Sequence, residues 1–500
     1  MFPSITVCNL NQVTHDFIKL FIPNLDIHKT DVLIKEFIVG REHNLTQKEE
    51  TFVNKVKKKL GKTDFRKNSR QYCKHLFISI LFQGMNLTWK QISSESGKKR
   101  NIGPMYHPTD YGSCCLLVPH LDLKPINESI TVEEMYRELK ADAVNGEKNG
   151  LEIILDAEQY NYAESRSINV NAAGFKISLH HHQDKPMMQF SSQLIHTGTA
   201  TQINVKPIIS YTTNNAIGRF TPDERGCYAN GEANLTYLVQ KHGYRYQLNN
   251  CLIDRVIRDI IWECRCVPYL DLHNRYYLEF LPWCTGKGLH CLTKKLETIN
   301  IEQNSEETGV TNNTMIDNLT KPMAIKCLPD CQLQENTIEM SYAQYPQPKN
   351  FFYGRTFCEM ASHLKQKPCT EQKIKKIFLK GRYPNLCPIL EDFDKYFGRE
   401  ENCSQWPENF FGIHKQPNTT LEQEMYNYAR DNLAYINVMI QSPYVTKIKK
   451  DEAMTFTNYI ANAGGLLGLC LGFSFISCIE MFFWSCRGCK ECKNSIKISA

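Results

Sequence analysis

Glu480 stands where a charge is costly. From Tyr459 to Ile479 the chain carries no charged residue, and Met481-Phe482-Phe483-Trp484 follow the carboxylate. The run is long enough to cross a bilayer as a helix. A carboxylate at that depth costs about 3 kcal/mol unless it faces water or a partner. Its chemistry is therefore electrostatic: it draws cations along a path or seals a polar interface. Gly464, Gly468 and Gly472 recur every fourth residue on one helix face, with Gly465 beside them. Such a stripe lets another backbone approach closely in lipid. The competing reading is a plain membrane anchor with a snorkelling Glu near its end.

Cysteine and histidine carry the other candidate chemistry. Of 21 cysteines, 16 precede the apolar run: Cys8, Cys73, Cys114, Cys115, Cys227, Cys251, Cys264, Cys266, Cys284, Cys291, Cys327, Cys331, Cys358, Cys369, Cys387 and Cys403. An even number, thickest between Cys227 and Cys403, suits disulfides in an oxidising compartment. Cys264-Arg265-Cys266 admits a zinc reading as well, but the CxC spacing is unusual for zinc and no second pair complements it. His180-His181-His182 invites a metal site, yet neighbours on a strand point to opposite faces and three in a row do not converge on one ion. Sequons at Asn44, Asn86, Asn127, Asn234, Asn312, Asn318, Asn402 and Asn418 agree with an extracellular location. No nucleophile elbow, P-loop or zinc-protease helix motif is present, so a disulfide-rich enzyme is the weakest reading.

The elements that must position these residues are partly legible. The chain has 500 residues, 42% of them hydrophobic, and a net charge of +6 that calls for no nucleic acid partner. Lys55-Val56-Lys57-Lys58-Lys59 reads as a solvated helix face. Leu151–Asp156, Phe175–Leu179 and Leu433–Ile440 read as strands. Between Cys251 and Cys264 the apolar residues Ile253, Val256, Ile257, Ile260 and Ile261 follow helical spacing. Residues 296–322 read as a solvated loop, and residues 350–412 as helical with four further cysteines. A polar, Lys-rich stretch leads from the last strand into the apolar run. The expected fold class is α+β: a disulfide-rich ectodomain followed by a membrane helix.

Location follows from charge. Arg487, Lys490, Lys493 and Lys497 place the tail in the cytoplasm, although Lys447, Lys449 and Lys450 on the other side weaken the bias. Cys486, Cys489 and Cys492 at the membrane edge suit palmitoylation or plain reduced thiols. The start, Met1 to Cys8, has neither the basic nor the apolar region of a signal peptide. An exported ectodomain then requires a first membrane segment, and the expectation is that one precedes Met1.

These residues together resemble the degenerin/epithelial sodium channel (DEG/ENaC) superfamily, and within it the insect pickpocket-like channels. Phe2 to Asn11 is similar to the segment that follows the family's first membrane helix, and Thr109-Asp110-Tyr111-Gly112-Ser113-Cys114 to its T-x-x-G-x-C element. Gly150 to Asp156 and Ala173 to Pro186 resemble palm strands. Cys251 to Tyr269 resembles the thumb cysteine signature, and Cys327-Leu328-Pro329-Asp330-Cys331 its closing motif. Gly464 to Glu480 resembles the second membrane helix.

The resemblance implies a subunit of an amiloride-sensitive, sodium-preferring cation channel of the plasma membrane, a homo- or heterotrimer that conducts sodium and needs no cofactor. It implies an extracellular domain over 1–455, with finger mainly at 15–105, palm and β-ball strands at 106–250, thumb at 251–430 and a palm return strand at 431–448; a knuckle is also part of the implied fold. A second membrane helix over 456–484 and a cytoplasmic tail over 485–500 follow. It places the selectivity filter at Gly472, Phe473 and Ser474, around which the helix can break because Gly tolerates unusual backbone angles, an inner-mouth carboxylate at Glu480, the gate at Ala461 and helix packing at Gly464, Gly465 and Gly468. It implies the disulfides Cys8–Cys114, Cys227–Cys331, Cys251–Cys327, Cys264–Cys291 and Cys266–Cys284. Two cysteines of acid-sensing relatives are replaced together by Arg255 and Ile325. The region Glu164 to Asn169 holds one carboxylate and one Arg, which disfavours proton gating through that pocket. The alternative reading is a non-conducting receptor or regulatory subunit that lacks the first membrane helix.

Overall fold

A computed structural model describes residues 2–40, 44–61, 73, 76–82, 85–86, 90–93, 99–102, 104–117, 150–163, 165, 172–181, 183–238, 244–269, 281–298, 326–347, 351, 355–364, 379–391, 419–442, 444–472 and 474–498. Several expectations fall outside these residues. They are Phe473, the sequons at Asn127, Asn312, Asn318, Asn402 and Asn418, Cys369 and Cys403, His182, Ile325, Glu164 and residues 166–169, and nearly all of the expected loop at 296–322.

Strands β1 (Ser4–Asn9), β6 (Met105–Pro108), β7 (Ser113–Leu117), β9 (Gly174–His180) and β10 (Gln193–His196) form a five-stranded antiparallel sheet in the order β10-β9-β1-β7-β6. A second sheet runs β12 (Gln332–Gln344), β11 (Thr199–Thr212), β13 (Leu433–Ile440), β8 (Leu151–Asp156), β2 (Phe77–Phe82) and β3 (Met85–Asn86) in that order. Here β11 and β13 are parallel, whereas β13 and β8 are antiparallel. Strands β4 (Lys90–Ser93) and β5 (Lys99–Ile102) pair separately. The near-continuous apolar stretches of β8 and β13 lie side by side inside their sheet, as strands buried on both faces do. Ile5, Ile80, Ile153, Phe175, Ile203 and Ile436 from the two sheets meet in one core.

Helices α1 (His15–Lys19), α2 (Ile27–Ile34) and α3 (Gln47–Leu60) build a separate apolar cluster around Ile18, Leu33, Val53 and Val56. A reciprocal cap starts α3: Thr46 accepts from the Glu49 N–H while the Glu49 carboxylate accepts from the Thr46 N–H. The basic run on α3 is not wholly solvated. Val56 is buried, and Lys57 Nζ lies 2.6 Å from the Glu36 carboxylate, whose side chain is almost fully covered.

Two short helices, α4 (Asn214–Arg219) and α5 (Pro222–Arg225), follow β11. The expected amphipathic helix is α6 (Leu248–Asp259), continued by a wider π turn over Ile260–Cys264. It buries Ile253, Val256, Ile257 and Ile260 against Leu289 and Leu292 of α7 (Lys287–Thr298). Helices α8 (Arg355–Leu364), α9 (Leu386–Glu391) and α10 (Thr419–Asn432) enclose Phe357, Met360, Leu386, Met425 and Tyr428.

Six disulfides are formed among the described residues: Cys8–Cys114, Cys73–Cys115, Cys227–Cys331, Cys251–Cys327, Cys264–Cys291 and Cys266–Cys284. All pairs implied by the resemblance are among them. Both thiols of Cys264-Arg265-Cys266 are consumed in disulfides, as the oxidised reading of the cysteines expects and the competing zinc reading does not. Cys358 and Cys387 are disulfide-bonded as well. Cys73–Cys115 was not legible in the sequence. It arises because successive residues of β7 point to opposite faces, so Cys114 meets β1 and Cys115 meets Cys73.

By its contacts the chain divides into two compact units. One comprises Met1–Ser210 with Gly226–Ile448, the other Tyr211–Arg225 with Lys449–Ala500.

Candidate functional site

The apolar run begins after an exposed strand, β14 (Thr446–Lys450), and is not one helix but two. Helix α11 (Phe456–Leu471) starts at Thr455, whose side chain accepts from the Asn458 N–H. It stops at Gly472, which takes left-handed backbone at φ +64° and donates its N–H to the Leu467 carbonyl. Glycine reaches that region without the penalty a Cβ imposes. Helix α12 (Phe475–Ile498) then starts from a reciprocal serine cap: the Ser477 N–H donates to Ser474 Oγ at 3.3 Å, and the Ser474 N–H donates to Ser477 Oγ at 3.3 Å.

The two helices meet at 81°. Among the described residues no single helix is long and apolar enough to cross a membrane. Phe456–Cys470 and Phe475–Arg487 pass that test only as a bent pair. The residues that interrupt the helix are Gly472 and Ser474, the ends of the expected filter.

Around the break, side chains are exposed within this chain: Leu469 at 90%, Phe475 at 80% and Phe482 at 75%. Glu480 is exposed on α12 and Ala461 on α11. Among the described residues, a Cβ added at Gly464 or Gly465 would meet no atom within 4 Å outside its own helix backbone. Gly468 lies on the same helix. Beyond the apolar stretch Cys486 is an exposed free thiol, still on α12.

The approach to α11 is held by polar contacts. Thr213 donates from its N–H to the Lys450 carbonyl at 3.0 Å and from its hydroxyl to Asp451 at 2.6 Å. Arg219, at the end of α4, donates to the Glu452 carboxylate at 2.6 Å and to the Met454 carbonyl at 3.0 Å. Lys449 and then Thr213 hold the Asp451 carboxyl down at about 2. Nothing in the sequence pattern marked Thr213 and Arg219, because they lie more than two hundred residues before their partners.

In the disulfide-rich unit the other candidates resolve into local roles. His180 pairs its Nε2 with the Thr6 hydroxyl at 2.8 Å and its Nδ1 with the His181 carbonyl at 2.8 Å. Among the described residues no group of three or more His, Cys, Asp or Glu could hold a metal ion. A carboxylate the sequence did not single out is Asp184, after β9. Its Oδ1 is enclosed with no hydrogen-bond partner among the described residues, and burial, with Asp330 nearby, pushes its carboxyl up to about 7. The sequons at Asn44 and Asn234 are exposed, while the Asn86 side chain lies outside the described residues.

A family described as "Amiloride-sensitive sodium channel" matches residues 1–484. Pickpocket protein 28 of Drosophila melanogaster is 22% identical over 344 residues, covering 68% of this chain and 41% of that protein. Degenerin deg-1 of Caenorhabditis elegans is 36% identical over 80 residues, 16% of this chain and 10% of that protein. The chain thus spans less than half the length of these curated relatives. With the match running from the first strand through the break at Gly472 to the end of the apolar stretch, the chain belongs to the amiloride-sensitive sodium channel (DEG/ENaC) family, ion channels rather than enzymes.

Proposed function

We propose that this chain is a pore-forming subunit of a sodium-preferring, amiloride-sensitive cation channel in the plasma membrane, assembled as a homo- or heterotrimer. The observation that carries the reading is the helix break. Two apolar helices meet at an interruption made by Gly472 and Ser474, in a chain that belongs to a channel family. Irregular backbone at membrane depth is tolerated where it lines a water-filled path. There the freed carbonyls and the Ser474 hydroxyl would replace part of a sodium ion's hydration shell. Glu480, repeated in each subunit, would favour cations at the inner mouth. Ala461 would be the small residue that lets the helices close, and Gly464, Gly465 and Gly468 would let neighbouring subunits approach.

The test is voltage clamp of the full-length subunit, alone and with related subunits, with surface delivery checked by biotinylation. The expected result is an amiloride-blocked current whose reversal potential follows external sodium. In Ala461→Val, resting current is expected without a stimulus, because a larger side chain would hold the gate apart. Absence of current from surface-delivered protein in every combination would overturn the channel reading. Normal closure of the Ala461→Val channel would overturn the assignment of the gate.

A further inference from the structure

The fifteen-residue segment Tyr211–Arg225 does not group with the strands that precede it. Its contacts place it in one compact unit with Lys449–Ala500, the unit that contains α11 and α12. The reason is visible in its side chains. Thr213 has two tasks: its hydroxyl caps α4 by accepting from the Ala216 N–H, and the same hydroxyl donates to Asp451. Six residues later Arg219 takes hold of Glu452 and the Met454 carbonyl. Both ends of α4 therefore grip one stretch, Lys450 to Met454, and that stretch ends at Thr455, the cap of α11.

The grip is braced on each side. Asp451 also accepts from the Glu452 N–H and pairs with Lys449 at 2.6 Å. Arg225 of α5 donates to the carbonyls of Ile217 and Phe220, which holds the end of α4 in place. The Glu452 side chain is only 9% exposed while that of Arg219 is 41% exposed, so the pair is covered on its carboxylate side alone. One guanidinium nitrogen serves both the Glu452 carboxylate and the Met454 carbonyl, which fixes its place more closely than a single contact would.

We propose that α4 is a splint on the entrance to the pore helix, and that Arg219 is a positioning residue whose hold on Glu452 and Met454 sets the balance between closed and open channel. The inference rests on the channel reading and adds to it a regulatory contact. Because the splint joins the residue run before Thr455 to a distant part of the sequence, any displacement of α4 is passed to the first turn of α11 through two short bonds.

The experiment uses the full-length channel. Arg219→Ala and Glu452→Ala are each expected to change resting open probability by about tenfold. The double variant is expected to show no more than either single change, because both remove the same bond. The charge exchange, Arg219→Glu with Glu452→Arg, is expected to recover most of the wild-type balance, and Arg219→Lys, which keeps the charge without the forked donor, only part of it. Surface-delivered channels that conduct, yet show resting currents within twofold of wild type in both single variants, would overturn the splint alone. A wild type that is silent in every subunit combination would overturn the channel reading, and the splint with it.

Discussion

The two units of this chain are built on opposite principles. The disulfide-rich unit satisfies itself: Ile5, Phe77, Ile153, Phe175, Leu433 and Tyr428 are essentially out of solvent, and six disulfides among the described residues tie its loops. Burial of that kind contributes roughly 25 cal/mol per Å² of apolar surface. The unit of α11 and α12 presents its apolar side chains outward, Leu466 at 64%, Leu469 at 90% and Trp484 at 64% exposed. Inside one chain those side chains contribute none of that stabilisation; on the channel reading they belong to lipid and to neighbouring subunits. The difference teaches where a mutation should be felt. Damage to the first unit should appear as lost folding, and damage to the second as altered conduction in protein that still folds.

The strongest way to break that contrast is to remove Cys8–Cys114. Both sulfurs are fully buried, and the bond closes a sequence separation of 106 residues. Opening a loop of that size is worth about 4–5 kcal/mol in unfolded-chain entropy. Cys8→Ala with Cys114→Ala should therefore remove most subunits from the cell surface, measured by biotinylation. The channels that do arrive should keep the wild-type sodium-to-potassium ratio. A full complement at the surface would show that the first unit does not depend on its disulfides.

Next in size is Asp184. Its unfolded carboxyl titrates near 3.8, and in the fold burial, with Asp330 nearby, raises it to about 7. Below about pH 4 the carboxyl is neutral in both states and carries no penalty. Between pH 4 and 7 the unfolded chain gives up its proton while the folded one retains it, so stability falls as pH rises. Above pH 7 the penalty is constant, on the order of 2–4 kcal/mol. Asp184→Asn should thus melt higher than wild type at pH 8 and with it at pH 4, and should flatten the slope between. The check is thermal unfolding of detergent-purified protein. Equal melting of the two at pH 8 would mean that the carboxylate finds solvent or a counter-ion.

How far each unit could be read from the sequence follows the same division. Strands β8 and β13 announced themselves as short, nearly continuous apolar runs, β9 by alternating apolar residues and helix α6 by the helical spacing of its apolar residues, and all are local signals. Strand β11 did not, although its burial alternates from Thr201 to Pro207, because only Ile203 and Val205 on the covered positions are strongly apolar and Thr201 and Pro207 dilute the signal. Cys73–Cys115 needed the alternation of β7, which only the sheet reveals. The broken helix lies between these cases. Gly472 and Ser474 are ordinary helix-ending and helix-starting residues, but inside an apolar run their meaning depends on whether the chain pays more for an exposed backbone or for a bend. The grip of Thr213 and Arg219 on Asp451 and Glu452 was invisible, since sequence distance hides it.

The smallest change asks the sharpest question of the second unit. Gly472 sits at φ +64°, and among the described residues beyond its chain neighbours no atom lies within 4 Å of where a Cβ would stand. Gly472→Ala therefore has no steric cost, only the backbone cost of holding an L-residue left-handed, about 1 kcal/mol. That shifts the balance between bent and continuous helix by about fivefold toward continuous. Gly464→Ala, eight residues earlier on the same helix, is equally open but has ordinary helical backbone, so it leaves the bend alone. If the bend forms the filter, Gly472→Ala should move the reversal potential under mixed sodium and potassium while Gly464→Ala does not, and neither should alter melting of the disulfide-rich unit. Equal reversal potentials for wild type and Gly472→Ala would mean that the left-handed turn has no part in ion choice, because a filter made of backbone carbonyls has to respond when the backbone that frees them is straightened.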